Sequence, residues 1–114
     1  MIKLDTNKKQ LFDGSENDLF NKEFLIKGEK INIKHIANNK FKKLRDIIND
    51  NDFNIIIKDL SIIRHDELFE SYKSSDSNLS NYYLIHNNNL FVFSYREFQP
   101  GRYQLYLEGM YSLK

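Results

Sequence analysis

The chain has 114 residues, 29% charged and 14% aromatic, with a net charge of +1. That is material for one compact α+β domain spanning 1–114, and its aromatic content argues against disorder. It contains no Cys, which excludes a disulfide-stapled scaffold and a thiolate-ligated metal centre, and no apolar run approaches the roughly 20 residues that span a bilayer.

Asn, Ile and Lys together fill 40 of the 114 positions. All three have AT-rich codons, so the bias reads as a low-GC genome, bacterial or phage, rather than as a functional demand. It lowers intrinsic helix propensity, so helices here are argued from periodicity. Residues 1–9 lack the apolar stretch and small-residue cleavage site of a secretory signal, and cytoplasmic residence is the expectation.

In chain order, Ile2 and Leu4 alternate with polar neighbours as in a short strand. Asp13, Gly14 and Ser15 mark a turn, and residues 16–21 can begin a helical turn. Residues 24–27 and 30–36 read as a hairpin closed at Gly28 and Glu29, with Ile31 and Ile33 on one face. Phe41, Leu44, Ile47 and Ile48 form an apolar stripe, which predicts a helix over 39–49 that ends in the run Asn49, Asp50, Asn51, Asp52. Residues 53–57 are short, β-branched and unbroken, which predicts a central strand. Residues 59–73 read as a second helix, and 74–78 as a loop.

The C-terminal part predicts a three-stranded antiparallel meander. Residues 82–85 and 90–95 flank an Asn-rich turn, Gln99, Pro100 and Gly101 form another, and residues 102–108 follow. Phe91, Phe93 and Tyr95 project from one face as core, while Tyr106 has the opposite parity to Tyr103 and Leu105 and should face solvent. The expected fold is therefore a single mostly antiparallel sheet ending in this meander, with about two helices packed on one face.

No Gly-rich phosphate loop, nucleophile elbow, His-Glu-x-x-His or EF-hand spacing occurs. No catalytic residue, cofactor or metal ligand is assigned, and the chain is not expected to be an enzyme. His35, His65 and His86 lack ligand spacing. The best catalytic set is His86, Arg96 and Arg102 with Glu97 or Glu108, the side chains that a small ribonuclease-like hydrolase would use for acid–base cleavage.

The near-neutral total conceals two opposed blocks. Residues 27–45 carry Lys27, Lys30, Lys34, Lys40, Lys42, Lys43 and Arg45 against Glu29 alone. Residues 46–70 carry seven acids against Lys58 and Arg64. Adjacent blocks of opposite sign can neutralise each other or form separate patches. As a patch, Asp50, Asp52, Asp59, Asp66, Glu67 and Glu70 suit a basic protein, with Tyr106 and Arg102 as further contacts of interface composition. That points to a small bacterial inhibitor, an immunity protein or antitoxin, acting on a partner such as a cognate toxin. The alternative is nucleic-acid binding through Lys40, Lys42, Lys43 and Arg45.

Overall fold

The computed structural model describes residues 1–32, 44–60 and 79–113, and all that follows concerns these. The chain runs through β1 (Ile2–Asp5), β2 (Lys9–Gly14), α1 (Glu16–Asn21), β3 (Glu23–Ile26) and β4 (Glu29–Asn32). A 3-10 turn (Leu44–Asp46), α2 (Asp50–Asp59), β5 (Leu79–His86), β6 (Asn89–Gln99) and β7 (Arg102–Ser112) follow. The fold is α+β, with a mostly antiparallel sheet ordered β1-β7-β6-β5 and two helices packed against it. β2 continues along the same edge of β7 as β1, and β3 and β4 form a separate two-stranded sheet.

The meander is the frame. β5 and β6 pair from Leu79 opposite Arg96 to His86 opposite Asn89. Their link is two residues long because Asn87 and Asn88 both take positive φ, the conformation that the tightest hairpin turns need. At the other end Pro100 and Gly101 turn β6 into β7, with Gly101 at φ +81°. The smaller hairpin turns the same way as the first, on Lys27 and Gly28 (φ 51° and 81°), one residue earlier than the sequence suggests.

Residues 53–57 are not a strand. They form the middle of α2, and the central strand of the fold is β6, buried without a break from Leu90 to Ser94. Asn49, expected to stop a helix, starts one: its side chain accepts from the Asp52 N–H at 2.8 Å, while its amide donates to Asp52 Oδ2 at 3.1 Å. Asp50 and Asp52 occupy the first turn and Lys58 the last, the arrangement the helix dipole favours. Phe53 and Ile56 are buried, and Ile57 and Leu60 pack beside them, so the apolar spacing is i, i+3, i+4, i+7. Three successive isoleucines mask that period when read as a block. The helix expected over 39–49 is likewise replaced, over its described part, by the 3-10 turn 44–46. Asp59 ends α2 instead of opening a further helix, and residues 61–73 and the loop 74–78 lie outside the described residues.

The two described helices lie on opposite faces of the sheet. Leu19 of α1 joins Phe24, Ile26 and Ile31 of the small hairpin over Phe91, Phe93, Leu105 and Leu107. Phe53 and Ile56 of α2 join Leu44 over Tyr83, Leu90, Val92 and Tyr111. The alternation along β6 makes both faces apolar, so each needs its own cover. Gly109 lets α2 approach, since a Cβ there would stand 2.8 Å from Leu60 Cδ2.

Candidate interaction surfaces

Two ends of the β6–β7 ribbon carry the charged side chains. Near the β5–β6 turn, the 3-10 turn and the head of α2 present Asp46, Asp50 and Ile47 to solvent; the Asp50 side chain is 83% exposed and Ile47 44%. Asp52, beside them, is spent on the Asn49 cap. A cavity of about 250 Å³ lies at this end, lined by Met1, Ile47, Ile48, Asn49, Asp52 and Leu113. Asp59 stands at the far end of α2, 3.2 Å from Lys3 Nζ and 3.5 Å from the Tyr111 hydroxyl. The expected acidic patch therefore divides: Asp50 stays exposed at the helix head beside Arg45, and Asp59 is half-buried between Lys3 and Tyr111. Asp66, Glu67 and Glu70 lie outside the described residues.

Where the two charge blocks meet, they touch. Arg45 Nε is 3.9 Å from Asp50 Oδ1, and the Arg45 guanidinium lies 4.6 Å from the centre of the Phe53 ring. Arg45 is thus drawn against α2, while Lys40, Lys42 and Lys43 lie outside the described residues. Burial pushes the Tyr83 hydroxyl up to about 12, with Asp46 adding to the shift.

At the opposite end, the β6–β7 turn carries Phe98, 43% exposed, with the guanidinium groups of Arg96 and Arg102 at 5.3 and 5.6 Å from its centroid. Arg102 also binds Asp13 through both ends of its fork, at 2.6 and 3.0 Å. That fork, with the Gln104 amide at 3.2 Å, holds the Asp13 carboxyl below the usual carboxylate range.

A polar chain continues from there across the sheet face. The Tyr106 hydroxyl lies 3.1 Å from Gln10 Oε1 and 3.2 Å from Gln104 Oε1, and Lys8 Nζ stands 4.8 Å over the Tyr106 ring. Lys8 also reaches Glu108 Oε2 at 3.2 Å, the oxygen to which Ser94 Oγ donates at 2.6 Å. Tyr106 is therefore half-buried in a hydrogen-bonded array rather than projecting as a free anchor, and Arg102 is tethered.

Ser94, Lys8 and Phe98 were not singled out by the sequence, which offered Glu108 only as a catalytic carboxylate. Glu108 is buried because the β6–β7 register slips between Val92 and Phe93, opposite Gly109 and Leu107, leaving Glu108 unpaired between them. The bulge puts Met110, and not Gly109 or Tyr111, on the face of Leu105 and Leu107. Simple parity cannot foresee it.

The set His86, Arg96, Arg102 does not assemble. His86 ends β5 with its Nε2 3.2 Å from Glu29 Oε2, which also accepts from Asn87 Nδ2 at 2.7 Å. Arg96 lies seven residues along β6 from Asn89, the partner of His86, or roughly 23 Å at strand rise. Only the two arginines converge. Among the described residues no three His, Asp or Glu gather as a metal site, and no described helix is long and apolar enough to cross a membrane. Comparison of the chain with family models, curated proteins and solved structures returns no match.

Proposed function

We propose that this chain is a non-enzymatic protein-binding module, a small bacterial inhibitor of the immunity-protein or antitoxin kind. It would act in the cytoplasm by covering a basic cleft on a partner toxin or enzyme. The observation that carries this reading is the outward-facing head of α2, where Asp46 and Asp50 flank the exposed Ile47. Acids around an apolar centre combine charge steering with a desolvated contact, the composition of a site for a basic protein. Asp52 and Asp59 serve the cap and the Lys3 pair, and they support this surface rather than contact the partner. Tyr106 and Arg102 keep a role only as a rigid, secondary rim. The nucleic-acid alternative gains no support from Arg45, which leans on Asp50 and Phe53.

The test is affinity capture with the wild-type chain and with an Asp46→Lys, Asp50→Lys double variant, washed at low salt and at about 0.5 M, where screening falls to a few ångströms. The reading expects a basic protein held by the wild type at low salt, released at high salt and absent from the variant. Equal retention by both chains, or no retained protein at low salt, defeats it.

A further inference from the structure

The acidic head and the arginine-bearing tip are built alike. Each presents one exposed apolar side chain between charges: Ile47 between Asp46 and Asp50, and Phe98 between Arg96 and Arg102. Arg96 is exposed and makes no ion pair with a described residue; its guanidinium lies 5.3 Å from the centre of the Phe98 ring. The two surfaces occupy opposite ends of β7. The tip is the β6–β7 turn, and the head shares a cavity with Leu113 just beyond Ser112. Eleven residues of strand separate them by about 33 Å. One molecule therefore cannot close its own tip on its own head.

We propose that the tip of one copy docks on the head of another, Phe98 against Ile47 and Arg96 against Asp50, giving a head-to-tail self-association. Because the two patches differ and lie at opposite ends, the contact is heterologous and propagates as a chain instead of closing as a twofold dimer. The contact takes the same head assigned to the proposed partner, so self-association and partner binding exclude each other. Its test needs no partner, and either idea can fail alone.

Sedimentation equilibrium of the purified chain reads the outcome. At about 1 mM protein and 20 mM salt, the weight-average mass should rise to roughly twice the monomer or more and keep rising with concentration, then fall to the monomer near 0.5 M salt. Arg96→Glu alone and Asp50→Lys alone should each be monomeric, since each sets like charges against one another. An equimolar mixture of the two should associate again, because the carboxylate introduced at the tip of one variant then meets the ammonium introduced at the head of the other. Both positions are exposed, and far-UV circular dichroism matching the wild type certifies that the variants are folded. Phe98→Ala should weaken the wild-type association several-fold while leaving the spectrum unchanged. A monomeric wild type at every concentration, or a mixture that stays monomeric, overturns the proposal.

Discussion

On one face of the five-stranded sheet, α1 and the β3–β4 hairpin lay Leu19, Phe24, Ile26 and Ile31 over a row of buried apolar side chains. On the other, Phe53 and Ile56 of α2 meet apolar residues only near the β5–β6 turn, and towards the tip the same face becomes polar with Ser94, Glu108, Gln104 and Tyr106. The first face is closed by shape, which is non-directional and tolerant. The second is closed half by shape and half by hydrogen bonds, which tolerate no missing partner once buried. That directional half positions the arginine-bearing tip, and it makes the second face the more selective scaffold.

The largest effect should come from the apolar parts. Phe53→Ala removes a fully buried ring and should cost about 3–5 kcal/mol, against about 2–5 kcal/mol for Leu19→Ala on the opposite face. Denaturant unfolding of both and of the double variant checks the comparison. Since the sheet separates the two sites, the losses should add to within about 0.5 kcal/mol. Strong coupling would mean that the faces are not independent.

Ser94→Ala tests the polar half. It leaves the buried Glu108 carboxylate without its 2.6 Å donor and should cost about 1.5–3 kcal/mol, a large penalty for one hydroxyl. If unfolding is unchanged, hydrogen bonding does not close that half of the face. Asn49→Ala should cost less, about 1 kcal/mol, by removing the acceptor for the Asp52 N–H and fraying the head of α2. In the same variant, loss of partner capture with little loss of stability would show that the cap orients the acidic surface.

The smallest effect is the most discriminating. Tyr83 and Tyr103 both ionise only near 12, but for different reasons: burial leads for Tyr83, and the 2.8 Å bond to Glu97 leads for Tyr103. A raised phenol contributes stability that is complete below its unfolded value of about 10 and is lost as pH climbs towards 12. Glu97→Gln should return Tyr103 towards the ordinary range while Tyr83 stays high, seen as an earlier step in the phenolate absorbance titration. An unchanged titration would mean that burial governs both.

The meander was legible in the sequence because its signals are local. Alternating apolar residues, the Asn pair and the Pro-Gly turn each bias a few neighbouring dihedrals, and they agree with one another. α1 was legible over residues 16–21, but its cap was not: Ser15, read as a turn residue, accepts through its hydroxyl from the Asp18 N–H. α2 was not, although its cap and acidic first turn were present, because β-branched residues argued for a strand and packing overrode propensity. Of the candidate site, the acids of the α2 head were visible as a charge block. Which of them face outward was not, since Asp50 and Asp59 differ only in what the fold sets beside them.

Composition, the turns and the strand alternation were determined by the sequence alone, and with them the α+β class and the antiparallel meander. Only the tertiary structure decided which element covers each face, where the Glu108 bulge reverses the parity of β7, and that Arg96 and Arg102 meet while His86 stands apart. The reason is the range of the interactions. Turns and periodicity act within a few residues, whereas burial, ion pairing and register depend on partners up to 110 positions away, as Ile2 and Ser112 are.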